Sequence, residues 1–493
     1  MIRRTLPVDA GVDADLTPDQ RAEDRRIADA VRRRTRPADW RNPDPKTRYD
    51  LCIFGAGPAG FAAAELAARH GLKVALIERH RLGGNSLHSG SIPSKTLISA
   101  ARDERARLDF SGVMRRIRGV RARIAEHHSV ERLTGLGVDL FFGAARFTGR
   151  HAAAAADTVL RFKKALIATG ARPRFDPIPG LAEVGYLTSE DIFDVAALPP
   201  RLAVIGGGPL GCELAQAFNA LGSHVTIVQR QAKFLPRMER DAADLLSRAL
   251  SADGVETRLN TQVVGARWSN GEKLLDVANN ELCFAIAADA ILLSVGRGPN
   301  VTGLGLEAAG VDFNEDVGVK VDDYLRTTNP DIYAAGDVCI PDQFTNIAET
   351  TARIAIGNAF ARRRRRHSHL LIPRCTYCTP EIAQIGLDHR SGRLSGIPIK
   401  SFTIMMHDVD RAVTDGIDKG FVKLYVRDGG DQILGATIVA ARASEMINEI
   451  SVIMHAGIGM RELARIVHTY PAQSGAIRLA ALAYWRNQSV MDW

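Results

Sequence analysis

Cysteine is scarce and scattered: six residues, at positions 52, 212, 283, 339, 375 and 378 of 493. That is too few and too dispersed for a disulfide framework, and it fits a reducing cytoplasm. Long apolar runs are also missing. No stretch approaches the ~18–20 apolar residues that a membrane helix needs, and no apolar segment comes after Arg3-Arg4 as a secretory or twin-arginine signal would require. The chain is therefore expected to have no integral membrane segment, to act in the cytoplasm and to be mature as it stands. Aromatic residues do not interleave with the arginines of the N-terminal stretch or of residues 362–366. Despite a net charge of +8, these runs read as solvated helix faces or loops, and no nucleic-acid partner is expected.

What is present is a multi-domain α/β chain. At 493 residues it exceeds a single core, and 46% hydrophobic with 24% charged residues is ordinary for a globular protein. Residues 1–48 read as a helical arm. Thr17-Pro18-Asp19 supplies an N-cap, a proline at the first helical position and an acid in the first turn. The helix should run to about Arg34, and the stretch from Pro37 to Pro43 breaks it.

Tyr49–Phe54 is an apolar strand leading into Gly55-Ala56-Gly57-Pro58-Ala59-Gly60, an alanine-rich helix, and a second strand that ends on Glu78. This is the strand, G-x-G-x-x-G, helix, strand, acid order of a dinucleotide-binding unit. Gly55 allows the tight turn, Gly57 lets backbone approach a pyrophosphate, Gly60 allows close helix packing, and Glu78 can accept from ribose hydroxyls. The helix N-terminus supplies positive potential for the phosphates. Arginine-rich helices are expected to about His128, then a strand pair around residues 140–142 and Phe147.

A second unit opens at residues 202–205 with Gly206-Gly207-Gly208-Pro209-Leu210-Gly211, a helix and another strand. Two such units are far more specific than one, because one chain can then hold two dinucleotides, with one passing hydride to the other. The second strand ends on Gln229-Arg230. A carboxylate there would favour an NAD ribose and repel a 2′-phosphate, so this ending leans toward NADPH while leaving NADH open.

Between the first unit and the arginine-rich helices lies Gly83-Gly84-Asn85-Ser86-Leu87-His88-Ser89-Gly90-Ser91-Ile92-Pro93-Ser94-Lys95-Thr96-Leu97. It resembles the redox-active segment, G-G-x-C-x-x-x-x-C-x-P-S-K, of the flavin-dependent pyridine nucleotide-disulfide oxidoreductases, which include dihydrolipoamide dehydrogenase, glutathione reductase and mercuric reductase. Ser86 and Ser91 stand at the two cysteine positions. Disulfide exchange needs a thiolate attacking a second sulfur, so no dithiol relay is expected through this segment. Thr169-Gly170, Gly296, and Gly336-Asp337 in residues 327–338 resemble further motifs of the family. The match extends over residues 49 to about 486.

The resemblance implies two Rossmann-like domains and a C-terminal α+β dimerisation domain. Their expected bounds are 49–170 with 297–370 for FAD, 171–296 for NAD(P), and 371–493 for the interface of a homodimer. It implies that Asp337 bonds a ribityl hydroxyl, and that a helix beginning near Glu349 aims its N-terminus at the flavin. Lys95 falls about one turn after Ser91 on a helix starting near Pro93, so both can share a ligand face. In the family a lysine here sits by flavin N5 and pairs with the glutamate matched by Glu213. The family's C-terminal H-x-H-P-x-x-x-E reads here His468-Thr469-Tyr470-Pro471 and ends on Gly475, so Tyr470 stands where the catalytic histidine is expected, as in mercuric reductases.

Mercury reduction is hard to sustain without the paired thiolates or a terminal cysteine pair, since the chain ends Ser489-Val490-Met491-Asp492-Trp493. Cys375-Thr376-Tyr377-Cys378 has no second C-x-x-C and reads as packing, so no metal is expected. The leading expectation is an FAD-dependent NAD(P)H oxidoreductase that passes electrons directly to a small acceptor such as a quinone, a dye, oxygen or another nicotinamide. Two alternatives stay open. One is a catalytically silent flavin-bearing binding or structural protein; the other is a disulfide or mercuric reductase into which the serines were engineered, against which the concurrent Tyr470 and Gly475 speak.

Overall fold

The computed structural model describes residues 17–280, 282–361 and 364–486. Arg3-Arg4, the first two arginines of the 362–366 run and the C-terminal Ser489 to Trp493 lie outside them. The chain forms two compact units, one made of the chain up to Pro199 with Ile291–Leu370, the other of Pro200–Ala290 with the chain from Leu371 onward.

In the first unit, the strands Asp139–Phe142, Val74–Glu78, Tyr49–Phe54 and Thr158–Ile167 lie side by side and parallel, and Ile332–Ala334 adds to the last of them. Residues 51 to 54 are fully buried, as expected of a parallel strand covered on both faces. Thr158–Ile167 changes character along its length. Its last residues are buried in the parallel sheet, whereas its first half alternates buried and exposed where it pairs antiparallel with Ala152–Ala155. The expected strand pair at 140–142 and Phe147 does not form. Asp139–Phe142 pairs with Val74–Glu78 at one edge, and Ala145–Gly149 pairs with Ala152–Ala155 at the other. The short link between the two strands suggests a hairpin in the sequence, but apolar alternation carries no information on which neighbour a strand takes.

The arm helix is Pro18–Thr35, closed by a capping box in which Gln20 N–H donates to Thr17 Oγ1 and Thr17 N–H to Gln20 Oε1. It lies against the helix Phe110–Ile124, where the Arg118 guanidinium meets Asp24 at 2.7 Å and Arg34 donates to the Ala122 carbonyl.

In the second unit, Arg201–Ile205, His224–Val228 and Glu256–Arg258 are parallel neighbours, succeeded by an antiparallel meander of Gln262–Ser269, Glu272–Ala278 and Cys283–Ala288. The C-terminal sheet orders Arg374–Thr376, Glu381–Gly386, Ile433–Ala440, Phe421–Arg427 and Ile399–Met405, all antiparallel. The helices Ala443–Ala456 and Gly475–Arg486 contribute Ile447, Ile450, Ile477 and Tyr484 to the core on that sheet. Lys423, its side chain only 9% exposed, meets Glu239 at 2.7 Å and Asp241 at 2.6 Å. This ties the sheet to the start of the helix Arg240–Ala252. Among the described residues no helix is long and apolar enough to cross a membrane.

Candidate functional site

Each dinucleotide fold is built from a strand, a glycine loop and an uncapped helix. Gly55 has φ of +98°, and a Cβ there would lie 2.5 Å from the Ala168 carbonyl oxygen. A Cβ on Gly60 would fall inside the Gly55 carbonyl group. No side chain caps the helix Pro58–Arg69, whose N-cap is Gly57, so its leading N–H groups are left for an anionic ligand. Glu78 closes the loop from the end of its strand. Its Oε2 accepts from Ala56 N–H at 2.8 Å and its Oε1 from His80 N–H at 2.7 Å. Gly84, at φ +56°, passes so close that a Cβ would stand 2.7 Å from Gly57 Cα, which brings the serine segment against the phosphate loop.

The return motifs are stitched to the same sheet. Thr169 Oγ1 donates to the Asn300 carbonyl and Asn300 Nδ2 to the Thr169 carbonyl, fixing Gly170 (φ +69°) in its turn; Gly296 likewise adopts φ +106°. Gly336 N–H donates to Thr351 Oγ1 at 3.1 Å. Asp337, with 16% side-chain exposure, lies 3.6 Å from Arg297. Burial pushes its carboxyl above the usual range, and Arg297 pulls it back. Arg297 Nε is buried without a partner.

The serine segment folds as two helices, Gly84–His88 and Ser91–Ala101, the second starting two residues ahead of Pro93. The helix expected near Glu349 begins earlier, as Thr345–Phe360 with no side-chain cap. The Thr345 hydroxyl donates to Ser86 Oγ at 3.1 Å and lies 3.4 Å from Ser91 Oγ. One hydroxyl thus bridges the two serines. Sequence reasoning misses Thr345 because it sits 254 residues from Ser91 and belongs to no recognised motif. Lys95 is half-buried about one turn beyond Ser91. His88 faces the Leu82 carbonyl at 2.8 Å through Nε2, and burial pulls its pKa down to about 4, so the ring is neutral at pH 7. Burial keeps three of the thiols protonated near neutral pH: it pushes Cys212 up to about 12 and also raises Cys52 and Cys339.

In the second unit Gly206 has φ of +110°, and the helix Pro209–Ala220, which carries Gly211, is again uncapped, with Gly208 at its N-cap. Gln229 takes the place that Glu78 holds in the first fold. Its Oε1 accepts from Gly207 N–H at 3.0 Å, but its Nε2 donates to the Lys233 carbonyl at 3.2 Å. Arg230 is exposed. Glu213 is 3% exposed, with Oε1 accepting from Tyr377 N–H. Tyr470 is 78% exposed, and its hydroxyl donates to Asp410 at 2.9 Å, which raises its pKa. His468 meets Glu449 at 2.7 Å. Among the described residues no group of three or more His, Cys, Asp or Glu side chains stands ready to hold a metal.

The family model described as pyridine nucleotide-disulphide oxidoreductase matches residues 49–357, and that of the family's dimerisation domain matches residues 372–481. The chain belongs to the pyridine nucleotide-disulphide oxidoreductases. Within this family it is 32% identical to a mercuric reductase of Acidithiobacillus ferrooxidans, over 89% of this chain and 83% of that protein. It is 31% identical to a glutathione reductase of Burkholderia cepacia, over 83% of this chain and 93% of that protein. The HOCl-induced flavoprotein disulfide reductase RclA from Escherichia coli superposes with a TM-score of 0.82 at 30% identity, covering 88% of this chain and 99% of that one. Members of the family use FAD and NAD(P)H, and the cradle of Gly55, Gly57, Gly60, Glu78 and Gly84 suits such a dinucleotide. Only backbone fits between Gly57 and Gly84, the helix N-terminus lacks a cap, and Glu78 retains acceptor capacity beyond its two backbone bonds.

Proposed function

We propose that this chain is an FAD-dependent NAD(P)H oxidoreductase that hands electrons directly to a small acceptor, with no dithiol relay in the segment where the family carries one. The observation that carries this reading is the Ser86–Thr345–Ser91 hydroxyl bridge. The two positions remain paired, but through oxygen, and hydroxyls support no two-electron disulfide couple. The reading includes a homodimer, which the dimerisation-domain match supports.

The flavin, when bound, accepts hydride from a nicotinamide and releases electrons to a second partner. Gly55, Gly57, Gly60, Glu78 and Gly84 would hold its ADP half, and Thr169, Gly170, Gly336 and Asp337 the remainder. Lys95 would supply positive charge beside the ring, which favours the reduced anion. Gly206, Gly208, Gly211, Gln229, Arg230 and Gly296 would serve the nicotinamide nucleotide. The neutral Gln229 amide next to exposed Arg230 supports a preference for NADPH. Glu213 and Tyr470 are the remaining candidate catalytic groups. The hydroxyls of Ser86, Ser91 and Thr345 can donate to an oxygen-bearing acceptor, which fits a quinone better than a soft metal ion.

Anaerobic mixing of the purified yellow protein with NADPH and, separately, NADH tests this reading. Bleaching of the flavin band by either donor, faster with NADPH, and then reoxidation with a quinone, is the expected result. A bound flavin that neither donor bleaches would overturn it in favour of a silent flavoprotein.

A further inference from the structure

The arm grips the chain on both sides of Glu78. Arg36, one residue past the arm helix, donates through Nη1 to the carbonyls of Arg79 at 2.6 Å and His80 at 2.8 Å. The Thr35 carbonyl accepts from Leu82 N–H at 3.0 Å, and Thr35 is itself fully buried, with its hydroxyl turned back to the Val31 carbonyl. The three residues held in this way are part of the link between Glu78 and Gly83-Gly84.

On the other side of Glu78 the neighbouring strand places Phe142 opposite it in register. Asn42 pairs with Phe142 as a strand would, with Oδ1 accepting from Phe142 N–H at 2.8 Å and Nδ2 donating to its carbonyl at 3.0 Å. Trp40 packs edge-on against the Phe142 ring, 5.8 Å between centroids, and the Arg36 guanidinium lies over the same ring at 5.0 Å. The contacts therefore converge on the two neighbours of one carboxylate. That carboxylate holds the phosphate loop through Ala56 N–H.

We infer that the arm is part of the first dinucleotide site: Arg36 and Asn42 are positioning residues that set Glu78 and the Gly83-Gly84 turn for the adenosine half of the cofactor. The physical reason is the reach of charge-assisted bonds to backbone carbonyls. A guanidinium shared by two consecutive carbonyls fixes the direction in which the chain leaves Glu78, and a site for a dinucleotide works only if its acceptors are held to within a fraction of an ångström.

The inference rests on the FAD reading above, and its test separates the two. FAD affinity is measured by flavin fluorescence on release from the holoprotein, for the unsubstituted chain, Arg36→Ala, Arg36→Lys, Asn42→Ala and Asp24→Ala. Asp24→Ala removes the arm's ion pair to Arg118 from the first half of the same helix, well away from Arg36, so it reports what loosening the arm does in general. The expected result is an FAD dissociation constant raised at least about tenfold by Arg36→Ala and Asn42→Ala. Arg36→Lys should restore part of the affinity, Asp24→Ala should leave it unchanged, and amide exchange at residues 79–82 should speed up in the Arg36→Ala apoprotein. If all four variants bind FAD within about twofold of the unsubstituted chain, or if Asp24→Ala weakens it as much as Arg36→Ala, the inference is overturned while the FAD reading stands. A chain that retains no flavin in any form overturns both.

Discussion

The two dinucleotide folds solve one geometric problem with residues of different charge. In each, a side chain at the end of the second strand (Glu78) or one residue past it (Gln229) reaches back and accepts the N–H of the second loop residue: Glu78 from Ala56, Gln229 from Gly207. The second contact of each side chain has opposite polarity. Glu78 accepts again, from His80 N–H, whereas Gln229 donates, to the Lys233 carbonyl. Loop closure therefore needs only an acceptor at this position, and the backbone beyond the strand has adapted to the group present. The charge is left free to serve the ligand. An acid can accept from ribose hydroxyls, and an amide tolerates a phosphate.

How tightly glycine is required also differs from position to position along these loops, and this is where a substitution should have its largest effect. At Gly60 a Cβ has no room against the Gly55 carbonyl, while at Gly208 nothing lies within 4 Å of one. Gly60→Ala is expected to destabilise the first unit by about 3 kcal/mol or more through forced backbone displacement. Gly208→Ala should stay within about 0.5 kcal/mol. Thermal unfolding of both variants as apoproteins checks this, and equal melting temperatures would show that the close approach at Gly60 does not decide its tolerance.

The next largest effect concerns what each fold is attached to. The second fold is fastened to the C-terminal sheet by the buried ammonium of Lys423 between Glu239 and Asp241, and burial works against its charge while both carboxylates raise its pKa. Lys423→Met removes the cation and leaves Glu239, itself only 12% exposed, without its counter-charge. A loss of about 3 kcal/mol in urea denaturation is expected. A double change, Lys423→Met with Glu239→Leu, should recover most of it, because a packed apolar pair can replace a buried ion pair. Failure of the double variant to recover would mean that shape rather than charge matters there.

Much of this comparison is legible in the sequence. The strands and helices of both folds fall where glycine spacing and apolar runs put them, and Thr17 caps the arm helix as its motif requires. Local chemistry encodes these features, so a single stretch suffices to read them. What is not legible comes from distant parts of the chain. Thr345 reaches Ser86 and Ser91 from more than 250 residues away. Arg36 reaches the Glu78 link, and Asp139–Phe142 chooses Val74–Glu78 over the nearer Ala145–Gly149. The start of the helix Thr345–Phe360 is hidden for a different reason: Phe344 offers no capping side chain to mark it.

A smaller effect tests the polarity argument directly. Gln229→Glu should keep the bond from Gly207 N–H but place an acceptor against the Lys233 carbonyl. It should also repel a 2′-phosphate. The expected outcome is a ratio of kcat/KM for NADPH over NADH lowered by about tenfold, close to 1.4 kcal/mol. The reciprocal Glu78→Gln brings an amide N–H2 toward His80 N–H and should loosen FAD without altering that ratio. If Gln229→Glu leaves the ratio unchanged, discrimination between the nucleotides lies elsewhere, and the charge difference between the two strand ends has no bearing on the ligand.

The smallest expected effect is the acid response of the first fold. Burial pulls the His88 pKa to about 4 from an ordinary value of 6.5, with the neutral ring held against the Leu82 carbonyl. Unfolding restores the ordinary value, so the unfolded chain binds more protons between those limits. Stability from this group is complete above about pH 6.5 and is lost as the pH falls toward 4. For a half-buried ring the loss should be about 1 kcal/mol once solvent screening is allowed for. His88→Gln keeps a donor for the Leu82 carbonyl but cannot titrate, so it should flatten the dependence of unfolding free energy on pH across that window. An unchanged slope would assign the acid response to His80 and His128, whose pKa values burial also lowers. Because His88 lies just beyond the Gly83-Gly84 turn, the protection factors for amide exchange at residues 82–90, corrected for the slower intrinsic exchange in acid, should fall across the same window.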